Sequence, residues 1–180
     1  MRKFTLVFVV LFTTLGFSQE TEFKFTKDGF TDYVVTDCKD KSAAELYKKT
    51  IDWISTNYNN PKEVLKAQIE NDYLRFEAIE KNLFCLKPTM CSDMKYQIEV
   101  SFKDGKYKFD LLALDQDMPD IGWVHFGGLE DGKYYFIENG EAKSKFKIIA
   151  DEIPKYFNSL NKSLNDFITN GVSTKKKNDW

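Results

Sequence analysis

Apolar residues recur along this chain with two different periods, and each period predicts an element. In "SAAELYKKTIDWISTNY" (residues 42–58) the positions Tyr47, Ile51, Ile54 and Tyr58 repeat at helical spacing, and Leu46 and Trp53 widen the stripe. Ser42 followed by Glu45 forms a capping box, in which hydroxyl and carboxylate satisfy the free amides of a helix start. "NNP" at residues 59–61 ends the helix. A second helical stripe runs through Ile153, Tyr156, Phe157, Leu160, Leu164, Phe167 and Ile168, with Pro154 in its first turn and Asn170-Gly171 as its stop.

Between the two stripes the period changes to two. "FTDYVVTD" (residues 30–37) is a short strand ahead of the first helix. After the helix, a turn at Asn71-Asp72 places Ile69 opposite Leu74, Ala67 opposite Phe76 and Leu65 opposite Ala78. A turn at Asp104-Gly105 places Phe102 opposite Tyr107, Val100 opposite Phe109 and Ile98 opposite Leu111. The alternate positions read Lys66, Gln68, Glu70, Arg75, Glu77, Lys95, Gln97, Glu99, Ser101, Lys108 and Asp110, polar throughout and mixed in sign. One face of the sheet is therefore buried and the other wet, and a slip of one residue would exchange them. Beyond Asp115 the pattern loosens. "WVHF" (123–126) and "KYYFI" (133–137) read as strands, with Asp131-Gly132 and Asn139-Gly140 as turns. The expected fold is α+β: an antiparallel sheet with two helices packed on one face, in the order β-α-β-β-β-β-α, and a β-hairpin elaboration over residues 115–147 before the last helix.

The first eighteen residues follow neither rhythm. "MRKFTLVFVVLFTTLGFS" has two basic residues, an apolar run from Phe4 to Phe17, and small residues before Gln19, the layout of a secretory signal peptide cut between Ser18 and Gln19. The alternative, a membrane anchor, needs about 20 apolar residues, more than this run supplies. The residue directly after the cut is Gln19 and not a cysteine, so a lipoprotein is not expected, and the protein is expected in the periplasm or outside the cell. The domain plan is a signal peptide at 1–18, one domain at 19–170 and a polar tail at 171–180. Loss of Arg2 and Lys3 from the 26 basic residues leaves 24 against 28 acidic ones, a net charge of −4. Arg75 is then the one remaining arginine. A protein built to hold phosphates usually exploits the guanidinium fork, so no nucleic-acid partner is expected, nor membrane insertion after cleavage.

An oxidising compartment gives the three cysteines a meaning. Cys85 and Cys91 flank the loop "LKPTM", and the expectation is a disulfide between them, with Cys38 left over. The alternative is three buried thiols.

Three blocks, "SAAELYKKTIDWISTNYNN", "IENDYLRFEA" and "YQIEVSFKDGKYKFDL", resemble a family of secreted Bacteroidota proteins known as a domain of unknown function with a fold like that of the TATA-binding protein. The resemblance rests on Glu45, Leu46, Tyr47, Trp53 and the run Lys103 to Tyr107, and covers roughly residues 31–114. It implies a TBP-like fold and almost nothing about activity. The fold name does not carry DNA binding with it, since the wet face is charge-balanced.

No catalytic signature accompanies this frame. There is no Gly-rich phosphate loop, no Gly-x-Ser-x-Gly and no His-Glu-x-x-His, and no cofactor is expected. His125 is the only histidine, which excludes a multi-histidine metal site. "DQDMPD" offers Asp115, Asp117 and Asp120 as oxygen donors but lacks the glycine and distal glutamate of a strong calcium loop, so no metal site is assigned. Glu99 opposite Asp110 could raise one carboxyl pKa by repulsion, though solvent and nearby lysines oppose this. What stands out is the crowd of aromatics at Trp123, Phe126, Tyr134, Tyr135 and Phe136. Aromatic rings give contact area at small entropic cost, so these five are the expected ligand or partner surface, if Trp123 and at least two of the others are exposed together. The expected function is an exported, non-enzymatic binding module for a protein, glycan or small apolar ligand. The rivals are a hydrolase-like enzyme assembled from Asp115, Asp117 and His125, and a structural subunit of an envelope assembly.

Overall fold

The computed structural model describes residues 21–171; the expected signal peptide and residues 172–180 of the expected tail lie outside the described residues. A small hairpin, β1 (Phe25–Thr26) and β2 (Gly29–Phe30), precedes β3 (Tyr33–Asp37) and α1 (Ala43–Asn57). A single helical turn, α2 (Pro61–Val64), leads into β4 (Leu65–Ile69), β5 (Tyr73–Lys87), β6 (Met90–Lys103), β7 (Lys106–Met118) and β8 (Gly122–His125). A 3-10 turn at Ser144–Phe146 opens α3 (Lys147–Asn170). The main sheet is antiparallel in the order β3-β7-β6-β5-β4, and β8 pairs with the far half of β7 on the edge that β3 occupies in the near half. The fold class is thus α+β, as the sequence indicates.

Both long helices cover one face. Trp53 of α1 meets Phe76 with ring centroids 5.8 Å apart, and Phe157 of α3 meets Tyr96 at 5.5 Å. The helices also touch each other, since Trp53 Nε1 donates to Ser163 Oγ at 3.2 Å. Leu74, Phe76, Tyr96, Ile98, Val100, Phe102, Tyr107 and Phe109 are all buried beneath them. On the opposite face Arg75 pairs with Glu99 at 2.7 Å and Lys108 with Asp110 at 2.6 Å, so the two carboxylates that oppose each other across β6 and β7 each have a cation of their own.

The β6–β7 register is the one the sequence indicates, with Phe102 opposite Tyr107 and Ile98 opposite Leu111, and Gly105 takes φ +80° in the turn. A bulge past Ile98 leaves Leu112 exposed, which allows both Leu111 and Leu114 to reach the core. The β4–β5 register differs from the expected one. Asp72 N–H donates to Ile69 O with Asn71 at φ 64°, the turn spans three residues, and Ile69 faces Tyr73 while Gln68 faces Leu74. Gln68 therefore turns to the helix side, where it accepts from the Tyr47 hydroxyl at 2.9 Å, and Ile69 is left exposed on the wet face. The extra turn residue made the difference by exchanging the faces of residues 67–69, and a bulge at Lys66 returns Leu65 to the core side opposite Phe76.

Local capping explains the helix limits. Ser42 Oγ accepts from Glu45 N–H at 3.2 Å, but the Glu45 carboxylate pairs with Lys41 and does not complete the box. The Ala43 amide is satisfied instead by Asp104 Oδ1 at 2.8 Å, which ties the start of α1 to the β6–β7 turn. α3 begins six residues before Ile153, so Pro154 lies inside the helix and not in its first turn, and Ala150 O goes without the amide that Pro154 cannot provide. Gly171 closes α3 with φ 68°, its N–H donating to Phe167 O at 2.9 Å.

Two further departures concern the segments outside the β-meander. Phe23, Phe25 and Phe30 are buried, and Asn158 of α3 pins the Phe23 backbone through bonds of 2.7 and 3.0 Å. Of the two strands expected beyond Asp115, "WVHF" joins the sheet as β8, in a hairpin with β7, but "KYYFI" is not a strand: residues 133–135 form a turn, and its pairing is reduced to the bridge between Phe136 and Ala142. A disulfide joins Cys85 to Cys91 as cross-strand neighbours near the tip of the β5–β6 hairpin. Cys38 is a buried free thiol, 3.7 Å from Asn165 Oδ1. Among the described residues no helix is long and apolar enough to cross a membrane.

Candidate functional site

At one end of the helical layer a recess of about 270 Å³ opens between the C-terminus of α1, the middle of α3 and the strands β5 and β6. α1 contributes its last residue Asn57 and its cap Tyr58, the sheet contributes Glu80 and Tyr96, and α3 contributes Tyr156 and the exposed Ser159. The hydroxyls converge. Tyr96 Oη lies 3.1 Å from Tyr58 Oη and 2.9 Å from Tyr156 Oη, and Tyr156 Oη lies 3.1 Å from Glu80 Oε2. Burial, first of all, pushes the phenol pKa values of Tyr58, Tyr96 and Tyr156 well up, and the closeness of the hydroxyls to one another pushes further, so all three remain protonated donors. Glu80 has no cationic partner among the described residues and accepts instead from the Tyr156 hydroxyl.

Each of these residues was visible in the sequence only as part of a pattern. Tyr58 and Tyr156 belong to the two helical stripes, and Tyr96 alternates with Ile98 in β6. The signal that could have singled out the place is Glu80, which shares the inward parity of Leu74, Phe76 and Ala78 on β5 and breaks their apolar run. A carboxylate at a core-facing position needs a partner, and the partner is a tyrosine from a helix 76 residues further on.

The five aromatics expected to form a surface divide into two groups. Trp123 is 40% exposed and Tyr134 64%, with Tyr135 half-buried. Phe126 and Phe136 are only 3% and 7% exposed, and so belong to the core and not to a surface. The reason is the unforeseen β1–β2 hairpin: Phe25 lies 5.9 Å from Phe126 and 5.0 Å from Phe136, and covers both rings. Trp123 stands on the wet face with Lys95 Nζ 5.1 Å from its ring centre. Tyr134 packs on Phe146 at 4.9 Å, with Lys143 and Lys145 beside it.

Asp115 and His125 are cross-strand partners on β7 and β8, with Nδ1 3.8 Å from Asp115 Oδ1, while Asp117 lies opposite Trp123. His125 Nε2 is 3.0 Å from Glu130 Oε1, and Asp115 Oδ2 is 3.0 Å from Lys95 Nζ. Both imidazole nitrogens therefore face carboxylates, and neither faces a hydroxyl or thiol that it could activate. None of the three residues lines the tyrosine recess. Among the described residues, no three His, Cys, Asp or Glu side chains are grouped to hold a metal ion, Asp115, Asp117 and Asp120 included.

Residues 33–115, from the first residue of β3 to Asp115 in β7, match the family described as a domain of unknown function (DUF4468) with TBP-like fold. This segment is similar to that family's domain. Two solved structures share its fold. One, a DUF4468 family protein from Bacteroides ovatus, is 11% identical, with a TM-score of 0.63 over 83% of this chain and 91% of its own. The other, a TBP-like protein from Parabacteroides distasonis, is 12% identical, with a TM-score of 0.59 over 77% and 91%. No curated protein matches the chain. The residues by which the DUF4468 domain is recognised in this sequence are structural ones. Leu46 and Trp53 are fully buried, Tyr47 packs edge-on against Phe102, and Asp104 of "KDGKY" holds the first amide of α1. The recess is only half the domain's own: Tyr58, Glu80 and Tyr96 lie within the matched segment, and Tyr156 and Ser159 come from α3 beyond it.

Proposed function

We propose that this protein is an exported binding module that takes a small ligand into the tyrosine recess and carries out no chemistry on it. The observation that carries this reading is the convergence of three hydroxyls and a carboxylate in one concave place, the usual make-up of a ligand site with a few polar groups set among apolar ones. A catalytic role has less to rest on, because the chain's one histidine stands on the far face of the sheet between two carboxylates. The amino-terminal sequence supports export, with cleavage before Gln19. Intact protein recovered from the native cell envelope should have a mass that begins at Gln19.

The direct test is a thermal-shift screen of polar small molecules on the mature protein and on Ser159→Trp, which fills the exposed mouth of the recess without touching the core. Ligands of the recess raise the melting temperature of the wild type and leave the variant unmoved, and mass spectrometry recovers them unchanged. Hits that stabilise both proteins equally would refute the recess, and turnover of a hit would refute the absence of chemistry. The exposure of Trp123 and Tyr134 supports a second reading, a partner-docking surface at the periphery, for which Trp123→Ala and Tyr134→Ala should weaken capture of the partner without lowering stability by more than about 0.5 kcal/mol.

A further inference from the structure

We infer that the tyrosine recess selects an organic cation, an alkylammonium group whose charge is met by Glu80. This rests on the recess being the ligand site and names the chemistry it would accept. Three features of the structure agree in sign. Among the described residues Glu80 is the one charged side chain lining the recess, and it has no lysine, arginine or histidine partner there. The carboxylates of Glu77, Glu99, Asp110 and Asp115 on the sheet's other face are each paired with a cation, whereas Glu80, on the helix-facing side, meets a tyrosine hydroxyl. The second feature is α1, whose C-terminal residues Asn57 and Tyr58 form one wall. A helix C-terminus carries partial negative charge, and the last turn of α1 holds no basic residue to offset it.

The third feature is the lining itself. Phenol oxygens accept hydrogen bonds from an ammonium, and tyrosine rings attract cations through their faces. Glu80 Oε2 is already engaged by Tyr156, which leaves Oε1 to receive the ligand. An ammonium has three donors and needs three acceptors; Glu80 Oε1 and the phenol oxygens beside it are of the right kind. An anionic ligand would meet the Glu80 carboxylate and the negative end of α1 with no positive group to compensate. A neutral apolar ligand would leave Glu80 desolvated and unpaired, which is costly.

The test uses butylammonium and its neutral analogue butanol as probes, followed through the backbone amide resonances of Glu80, Tyr96 and Ser159 in the mature protein. Butylammonium should shift these resonances saturably, and butanol should bind at least tenfold more weakly. Glu80→Gln keeps an oxygen for the Tyr156 hydroxyl and removes only the charge, so it should lose at least tenfold in butylammonium affinity with its spectrum otherwise intact. Ser159→Trp should abolish the response. Equal binding of the two probes, or a Glu80→Gln variant that binds like the wild type, overturns the choice of a cation and leaves the recess standing. Shifts that persist in Ser159→Trp overturn the recess as well. A recess that responds to neither probe overturns the present inference, with the recess itself then decided by the broader screen.

Discussion

The β-meander of β5, β6 and β7 and the segment from Gln116 to Phe146 are both rich in aromatic residues, yet they are held in different ways. In the meander, each ring's position follows from its neighbours on the strand and the ladder partner opposite: Phe102 faces Tyr107, Val100 faces Phe109, and alternation does the rest. In the later segment the rings gather around Phe25, which lies within 6 Å of Phe126, Tyr135 and Phe136 and comes from a hairpin at the other end of the chain. Local order built the first region. Long-range contact built the second, and burial there reports a meeting of distant segments and not a periodicity.

The sharpest way to break the meander side of this contrast is Trp53→Ala. Its indole is fully buried against Phe76 and Tyr58 and bonded to Ser163, so its loss should cost about 3–5 kcal/mol, read from chemical denaturation as one transition by every probe. Gly132→Ala attacks the other side, because a Cβ there would stand 1.8 Å from Thr26 O. The expected cost is about 1–3 kcal/mol. Hydrogen exchange should locate it: amides of the β1–β2 hairpin and residues 126–146 lose protection while those of β6 keep theirs. Uniform loss across the sheet would show that the two regions form one cooperative unit.

Removing the Cys85–Cys91 disulfide by paired serine substitution should lower stability by about 2 kcal/mol, the loop-entropy value for so short a ring, measured by urea denaturation. Ser42→Ala, which removes the α1 cap, should cost about 1 kcal/mol, partly spared because Asp104 still holds the neighbouring amide. The smallest effect is one of pH. Burial, with Asp37 adding to it, pushes the Cys38 thiol from its ordinary 9.0 up to about 11, so the folded protein holds this proton longer than the unfolded chain does. Its contribution to stability is complete below pH 9 and is lost as pH rises towards 11. Melting temperatures of the wild type should fall faster than those of Cys38→Ala across that window; parallel curves would show that the thiol is not sequestered.

The contrast also explains which parts of the protein were legible. Ser42, the Asp104-Gly105 turn and the stripe from Ile153 to Ile168 act on near neighbours, and their elements lie where the pattern puts them. One added turn residue at Glu70–Asp72 was enough to reverse the faces of residues 67–69 in β4, because two-residue and three-residue turns are alike in composition and opposite in consequence. Pro154 favours the first turn of a helix, where its missing amide is cheapest, and the packing of Ile149 and Ile153 carries the helix one turn and more past that preference. Asn161, in the middle of an apolar stripe, is buried because Tyr107 and Thr36 supply its partners from two different strands.

The chain's own order of apolar and polar residues determined a sheet with one dry face, two helices to cover it, a pair of cysteines close enough to join, and a family signature that serves packing. Side chains a few positions apart settle such matters among themselves. The tertiary structure alone decided that Phe126 and Phe136 are core, that His125 lies between two carboxylates, and that Tyr58, Glu80, Tyr96 and Tyr156 share one recess. Those four residues come from two helices and two strands, and the forces that assemble them, burial and the pairing of buried polar groups, act between segments whose distance along the chain carries no record of their distance in space.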